Sequence, residues 1–461
     1  MKILFLAAEA VPYVKVGGLG DVAGSLPAAL RKQGHEVRLV MPRYGLLDAK
    51  KYGLEKILDN FSVYMDWRRE ECQLWHNPST GDRFIENQYF FGSRFQVYGC
   101  GDEVEQFVLF CRAALEACRL EGWQPDVIHA HDWHTAAAIR LQWASPIRPG
   151  LVYTIHNLAH QGNLEPAGWP LLGVYDGRGG MNLMQQAIYC ADVVTTVSPT
   201  YANEIRGAEA GFGLDGALRE RGDRLVGVLN GLDMEAYDPA TDRELPENYS
   251  RDDVRGKRAC KVSIERQFGL RPSHGPLVGM VSRMDFQKGM DLLVRGLYDI
   301  VHYSDANVMI VGSGNPSLEN AVRQACNDYP GRVASFIGFD AKLARRVYAA
   351  SDMFLMPSLF EPCGLTQMIS MRYGTLPVAR ATGGLVDTIV DCRAPGGQGT
   401  GYLFGAYDHH DMLTALGAAI DCYKNRRDAW QGAMYRAMSQ DFSWDRAAAR
   451  YGELYEWARR G

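Results

Sequence analysis

Short runs of apolar residues alternate along the chain with longer segments that have helical periodicity. Apolar runs cover residues 2–7, 36–42, 126–130, 151–156 and 192–198 in the first half, and 277–283, 307–314, 332–338, 352–358 and 375–380 in the second. Each run has the length of a buried parallel strand, and a helix-like segment follows it. The pattern therefore predicts an α/β protein in which helices cover both faces of parallel sheets.

Two segments depart from this alternation. Residues 60–100 suggest an antiparallel excursion within the first half, and residues 238–253 are polar, contain two prolines and lack apolar periodicity. We therefore predict two doubly wound Rossmann-like domains, 1–240 and 254–440, joined by a linker at 241–253. Residues 441–461 contain an amphipathic helix, which we expect to cross back to the first domain.

Composition and charge exclude several classes of protein. The 461 residues include 49 basic and 54 acidic side chains, for a net charge of −5, and neither a basic face nor a basic tail is visible. This balance argues against a nucleic-acid or membrane partner. The ten cysteines are scattered without a C-x-x-C pair, which is typical of reduced thiols. We read the N-terminal MKILFLAAEA as a strand rather than a signal peptide, and we expect a cytoplasmic location.

The stretch KVGGLGD, residues 15–21, lies where the first predicted strand turns into a helix. Glycines let backbone amides approach a ligand closely, and a helix N-terminus adds partial positive charge. Lys15 adds a full charge, so Lys15, Gly17 and Gly18 suit a phosphate group. The alternative is an ordinary tight turn.

Two stretches of the second half also place charged groups after predicted strands. VSRMDFQKG, residues 281–289, holds Arg283 and Lys288, whose side chains suit phosphate oxygens unless they are simply surface cations. SLFEPCGLTQ, residues 358–367, holds Glu361, which can accept hydrogen bonds from sugar hydroxyls or stabilise positive charge in a transition state. The alternative for Glu361 is a carboxylate that balances a helix dipole.

Histidines follow two further strands of the first half. TIHNLAHQG, residues 154–162, ends a strand with His156 and Asn157, which suit sugar hydroxyls. HAHDWHT, residues 129–135, holds three histidines and Asp132, but no separate carboxylate cluster completes a metal site. We favour a sugar-contacting turn or a helix N-cap for Asp132. The sequence also contains no Asp-x-Asp triplet, so we predict no metal cofactor.

Taken together and in this order, KVGGLGDVAGSLPAAL, HAHDWHT, TIHNLAHQG, LNGLD, VSRMDFQKG, EPCGLTQ and TGGLVDT resemble the bacterial glycogen synthase and plant starch synthase family. The resemblance covers nearly the whole chain. It implies a GT-B fold, two Rossmann-like domains facing a central cleft. It also implies transfer of glucose from the donor ADP-glucose to the non-reducing end of an α-1,4-glucan acceptor, with retention of the α configuration.

The resemblance also implies roles for single residues. The implied catalytic residues are Lys15, His156, Arg283, Lys288 and Glu361. The implied donor-binding residues are Gly17, Gly18, Asn230, Phe339, Cys363, Gly364, Leu365 and Thr366. The implied acceptor or sugar-binding residues are Glu9, Asp21, Asp132, Trp133 and Asn157. Competing interpretations are a UDP-glucose transferase, a nucleotide-sugar epimerase of the same fold and a non-catalytic glucan-binding protein.

Overall fold

The computed structural model describes residues 1–146, 148–175 and 179–460. The chain forms two compact units. Unit 1 comprises Met1–Gly231 together with the C-terminal segment from Trp444, and unit 2 comprises Leu232–Ser443.

Unit 1 is built on a mixed sheet that is largely parallel. Its strands are β1 (Lys2–Leu6), β2 (Glu36–Pro42), β3 (Glu55–Met65), β4 (Arg68–His76), β5 (Arg83–Glu86), β6 (Val127–His131), β7 (Gly150–Ile155), β8 (Asn163–Leu164), β9 (Met181–Asn182), β10 (Val193–Thr196) and β11 (Leu225–Gly227). Its first six helices are α1 (Gly18–Lys32), α2 (Glu103–Leu120), α3 (Trp133–Trp143), α4 (Leu183–Cys190), α5 (Pro199–Glu204) and α6 (Asp215–Glu220).

The strand order of this sheet defines a switch point at the carboxyl end of β1. The order is β11-β10-β7-β6-β1-β2-β5-β4-β3, and only β4 runs antiparallel to its neighbours β3 and β5. The hairpin of β3 and β4 is the antiparallel excursion that the sequence suggested. The order reverses at β1, which lies between β2 and β6. Ligands of doubly wound folds bind outside the carboxyl ends of the strands at such a switch point.

Unit 2 is built on a sheet that is parallel throughout. Its strands are β12 (Leu277–Val281), β13 (Asn307–Gly312), β14 (Val333–Ile337), β15 (Met353–Met356), β16 (Leu376–Arg380) and β17 (Tyr402–Phe404), in the order β14-β13-β12-β15-β16-β17. Its helices are α7 (Gly256–Gln267), α8 (Met290–Tyr303), α9 (Pro316–Asp328), α10 (Ala341–Ala350), α11 (Thr366–Arg372), α12 (Gly384–Thr388), α13 (His409–Asn425) and α14 (Arg427–Met438). The switch point of this sheet lies between β12 and β15.

The C-terminal helix, α15 (Trp444–Ala458), belongs to the core of unit 1. The hydroxyl of Tyr455 lies 2.8 Å from Nδ1 of His129 on β6. Gly150, at the start of β7, packs so closely on this helix that a Cβ atom there would lie 2.9 Å from the carbonyl carbon of Ala458. The apolar stripe of α15 is therefore covered by the sheet of unit 1.

The segment that we predicted to be a linker is a packed part of unit 2. Tyr249 is buried, and its hydroxyl donates to the carbonyl oxygen of Tyr373 at 2.8 Å. Leu245 is buried as well. These two side chains anchor the segment to unit 2, although its composition is mostly polar. The boundary between the units falls at residue 231 rather than at the predicted 240.

No helix in the described ranges is both long enough and apolar enough to cross a membrane.

Candidate active site

The loop after β1 is organised by the buried carboxylate of Glu9. This carboxylate accepts hydrogen bonds from the backbone amides of Val16 and Gly17, the latter at 3.0 Å. Burial raises the pKa of Glu9, although the two amides act in the opposite direction. The amide of Gly17 therefore binds Glu9 and is not free for a phosphate. Of the glycines predicted to bind phosphate, Gly18 still has open space around its backbone, because a Cβ there would meet no atom within 4 Å.

Lys15 and Asp21 form an ion pair at the start of α1. The ammonium nitrogen lies 2.7 Å from Oδ1 of Asp21, and the two side chains are 42% and 26% exposed. Exposed ion pairs of this kind are weak, so Lys15 can exchange Asp21 for a ligand at small cost.

Tyr98 was not among the residues that the sequence singled out. Its hydroxyl lies 3.4 Å from Oε1 of Glu9, and burial raises its pKa. Tyr98 lies in a stretch without a motif and is separated from Glu9 by 89 residues, so only the folded chain brings the two side chains together.

Asp132 connects the ends of β6 and β7. Its Oδ1 accepts the backbone amides of His156 at 2.7 Å and of Asn157 at 3.2 Å. Asp132 occupies the N-cap position of α3, but its side chain makes no cap hydrogen bond, so the predicted capping by this side chain is wrong. The reason is the backbone of Asp132, whose φ of 56° and ψ of 179° aim the side chain at the neighbouring strand. Burial raises its pKa to about 7.

His156 belongs to a cluster of three buried or half-buried imidazoles. Its Nε2 lies 2.9 Å from Nδ1 of His131, and the rings of His131 and His129 are 4.0 Å apart. Burial lowers the pKa of His156 to about 3, so this imidazole is neutral at physiological pH. The motif that contains His156 predicted a role for this residue but did not indicate its partner His131.

Trp133 and Asn230 are also buried in unit 1. Trp133 packs on the ring of His134, with the centroids 4.3 Å apart, and borders a hollow of about 420 Å³ that is also lined by Gly162 and residues 101–105. Oδ1 of Asn230 is buried, and among the described residues it has no hydrogen-bond partner. An unsatisfied buried oxygen of this kind is a natural contact for a ligand hydroxyl.

In unit 2, Lys288 and Glu361 form a tight pair at the ends of the adjacent strands β12 and β15. Nζ of Lys288 lies 2.6 Å from Oε2 of Glu361, and the side chains are 21% and 7% exposed. The hydroxyl of Ser358 donates to the same oxygen at 3.1 Å. Glu361 is therefore held by a cation and a hydroxyl rather than by a helix dipole alone.

Arg283 reaches further into solvent than this pair. Its guanidinium lies 3.1 Å from Asp285 and donates to Oε1 of Gln287 at 3.0 Å, while its side chain is 65% exposed. Asp285 in turn accepts the backbone amide of Lys288 at 2.9 Å. One short loop thus orients both cations that the sequence had indicated.

The loop between Glu361 and α11 is fixed from inside by Gln367, which the sequence analysis had not assigned. Its amide donates to the carbonyl oxygens of Cys363 at 3.0 Å and Gly364 at 2.9 Å. Gly364 has a φ of 71°, and a side chain there would collide with Gln367. These contacts fix the backbone of the loop that leads from Glu361 into α11.

Phe339 follows β14 and is 87% exposed. A ring so open to solvent has room for a stacked base. In the part of the chain that the structure describes, no group of three or more His, Cys, Asp or Glu side chains is placed to hold a metal ion.

Comparison with known proteins gives consistent results over the whole chain. Residues 2–220 match a family model described as the starch synthase catalytic domain, and residues 275–421 match one described as glycosyl transferases group 1. The chain is 44% identical to a glycogen synthase of Anaeromyxobacter sp. (strain Fw109-5) and 41% identical to one of Streptococcus gordonii, in each case over 99% of both chains.

Two solved structures are also similar. The catalytic domain of starch synthase IV from Arabidopsis thaliana, bound to ADP and acarbose, superposes with a TM-score of 0.92 at 34% identity and covers 100% of this chain and 99% of its own. Sucrose-phosphate synthase from Thermosynechococcus elongatus superposes with a TM-score of 0.64 at 18% identity, over 99% and 98% of the two chains, and supports the fold alone.

Proposed function

This chain belongs to the family of bacterial glycogen synthases and plant starch synthases, and we propose from its site residues how it elongates α-1,4-glucan with glucose from ADP-glucose. It is a glycosyltransferase with the GT-B fold. The observation that supports the mechanism most directly is the Lys288–Glu361 pair, with Arg283 on the same loop as Lys288.

In unit 2, Arg283 and Lys288 bind the diphosphate of the donor, because a planar fork and a compact point charge together neutralise phosphate oxygens. Glu361 accepts hydrogen bonds from hydroxyls of the donor glucose. The exposed ring of Phe339 stacks on the adenine. The ADP bound to the Arabidopsis starch synthase supports an adenine nucleotide as the donor here.

In unit 1, Lys15, His156 and Asn157 serve the glucose that is transferred, and Asp132 positions the last two through its hydrogen bonds to their backbone amides. Asp21 and Trp133 serve the acceptor glucan. Glu9 acts by shaping the loop that carries Lys15, since its carboxylate is occupied by that loop.

Retention follows from attack on the same face from which the diphosphate departs. The bond between C1 of glucose and the phosphate oxygen breaks while the acceptor hydroxyl oxygen forms a bond to C1. The hydroxyl proton passes to the departing phosphate oxygen, and Arg283 and Lys288 stabilise the charge that develops there. Glucan lengthened by one glucose and ADP are the products.

The test is nucleotide release from ADP-glucose and from UDP-glucose, each with and without glycogen or maltooligosaccharides. We expect glucan-dependent release of ADP, and loss of that release in the Arg283→Ala variant. Faster release of UDP would establish the UDP-glucose alternative. No release from either donor would contradict catalysis and favour a glucan-binding protein.

A chelator tests the cofactor prediction separately. Because the protein supplies its own cations for the diphosphate, we expect EDTA to leave the rate of ADP release unchanged. Loss of activity with EDTA and its return with a divalent cation would contradict the prediction. A cytoplasmic location and the lack of nucleic-acid and membrane partners likewise stay predictions.

A further inference from the structure

Two histidines of β6 form a buried layer beside His156. His129 and His131 are both fully buried, and the β6–β7 register places His131 opposite Thr154. The ring of Phe5 lies 4.2 Å from that of His131 at an angle of 33°, and the ring of His129 lies 4.0 Å away at 41°. Both neighbours therefore cover the faces of the His131 ring rather than its edge.

Only one ring nitrogen of His131 has a partner in the described part of the chain. Nδ1 lies 2.9 Å from Nε2 of His156, whereas Nε2 is buried and makes no hydrogen bond. Because the rings of Phe5 and His129 lie over its faces, neither of these two described rings stands in line with an N–H at this position. The Nε2 atom of His131 is consequently either a bare lone pair or a buried donor without an acceptor.

His129 cannot form a hydrogen bond with Nε2 of His131, because both ring nitrogens of His129 already have partners. Nδ1 lies 2.8 Å from the hydroxyl of Tyr455, and Nε2 lies 2.6 Å from that of Thr154. His131 is also fixed at its backbone, since the hydroxyl of Thr135 donates to its carbonyl oxygen at 2.8 Å. His129 therefore offers no hydrogen bond to Nε2 of His131, and the proton between His131 and His156 depends on these two rings alone.

Both imidazoles of the pair are neutral, because burial lowers the pKa of His131 well below its usual value and that of His156 to about 3. A neutral imidazole has one N–H and one lone pair. If His156 donated from Nε2, the N–H of His131 would sit at its Nε2 as a buried donor without a partner. If His131 donates from Nδ1, its buried Nε2 carries only a lone pair. A buried acceptor without a partner is tolerated better than a buried donor without one.

We infer that Nδ1–H of His131 donates to Nε2 of His156 and thereby fixes His156 as the tautomer that carries its proton on Nδ1. His131 is a positioning residue in this arrangement. His156 then presents a hydrogen-bond donor, and no lone pair, to its ligand. The inference deepens the proposed function on which it rests, because it makes His156 a donor to a sugar hydroxyl and excludes it as a general base.

The tautomer can be observed directly in the wild-type protein. We expect ¹⁵N NMR of histidine-labelled protein to give a pyrrole-like Nδ1 and a pyridine-like Nε2 for His156, with the resonances assigned by their loss in His156→Gln. The opposite pattern would overturn the inference. This readout needs no turnover, so it stands even if the donor or the acceptor of the reaction has been assigned wrongly.

Two variants of His131 separate positioning from packing. In His131→Asn the amide nitrogen occupies the place of Nδ1 and can still donate to His156, whereas His131→Leu fills the space without a donor. We expect the Leu variant to lose kcat by roughly ten- to a hundredfold at little change in the KM for ADP-glucose. The Asn variant should recover most of that loss and should keep the Nδ1–H tautomer.

His129→Gln is the matched control for damage to the buried layer. We expect it to lower stability while His156 keeps its tautomer, because His129 makes no hydrogen bond to that ring in the described structure. Wild-type kcat in His131→Leu, or equal losses in the Leu and Asn variants of His131, would contradict a positioning role. If the Leu variant does not fold, the wild-type NMR spectrum still decides the question.

Discussion

The candidate site of unit 2 brings two cations together on one loop, whereas that of unit 1 sets a single cation beside neutral imidazole and amide groups. In unit 2, Arg283 lies on the loop of Lys288, which pairs with Glu361 at 2.6 Å. In unit 1, His156 is neutral because burial lowers its pKa to about 3. The carboxylate of Asp132 accepts a hydrogen bond from the backbone amide of His156. Lys15 is the only cation that the sequence analysis assigned to the site of this unit.

We propose that this difference corresponds to the two parts of the donor. A diphosphate carries charge that must be neutralised, and paired cations on a short loop are suited to that task. A sugar offers hydroxyl groups whose recognition depends on the direction of each hydrogen bond, and buried neutral groups fix that direction. The predictions below test whether charge and direction are divided between the units in this way.

We expect the largest effect from Lys288→Ala in unit 2. The change removes the cation from the diphosphate and leaves the buried Glu361 with the hydroxyl of Ser358. The cost should be about 2 kcal/mol or more of transition-state stabilisation, roughly thirtyfold in kcat/KM. Steady-state kinetics measure it, with Lys342→Ala as control because that lysine is 75% exposed. A Lys288→Ala enzyme with near-normal kcat/KM would remove Lys288 from the mechanism.

The next largest effect should come from Lys15→Ala in unit 1. We expect kcat to fall by about tenfold or more, because Lys15 is the assigned cation of this unit. Folding should survive, since an exposed pair such as Lys15–Asp21 contributes at most about 1 kcal/mol. Urea denaturation and turnover are measured on the same preparations.

Asp21→Asn is the companion variant for Lys15. If Asp21 only restrains Lys15, its loss should reduce kcat less than the loss of Lys15 does. Equal losses in both variants would show that the pair acts as one unit.

Ionic strength should separate the two sites without any mutation. Raising the salt concentration from about 0.05 M to about 0.5 M shortens the range of charge interactions, so the KM for ADP-glucose should rise about threefold. The KM for glycogen should change by less than about twofold, because a neutral glucan meets neutral groups. Parallel increases in both values would contradict the division between the units.

A cation of unit 2 that lies outside the site should affect stability rather than turnover. Lys257 is buried and donates to the carbonyl oxygens of Ala349 and Tyr373 and to the hydroxyl of Thr375, at 2.9, 2.9 and 2.7 Å. Burial lowers its pKa to about 8. An unfolded lysine keeps its proton to about pH 10.4, so between these values the unfolded state binds more protons and the free energy of unfolding rises with pH.

Lys257→Met should abolish that rise, which is at most about 1.4 kcal/mol per pH unit. Below about pH 8 the lysine is protonated in both states and contributes no slope. Urea denaturation of wild type and variant on both sides of pH 8 measures the difference. Equal pH slopes for the two proteins would show that Lys257 titrates normally.

The sequence was sufficient for the elements and for the loops that carry the site. Apolar runs marked the central strands of both sheets within one or two residues, because a strand buried on both faces must be apolar. The motifs after those strands then placed Lys15, His156, Arg283, Lys288 and Glu361 at strand ends.

The partners of these residues could not be read from the chain. Whether Asp132 caps its own helix or bonds to the next strand depends on one backbone angle, a φ of 56°. The contact of His131 with His156 depends on the register of β6 against β7. Tyr249 looked like part of a linker, because two buried apolar side chains among charged neighbours leave no periodic pattern.

The return of α15 to the first sheet also bears on how the protein is made. During synthesis, residues 232–443 are translated before Tyr455, so nearly all of unit 2 has been made while His129 still lacks its hydroxyl partner. Domains usually fold in the order in which they are translated. Here the first unit to emerge is the last that can complete its core, and the histidine layer next to His156 is closed by one of the final helical turns to be translated.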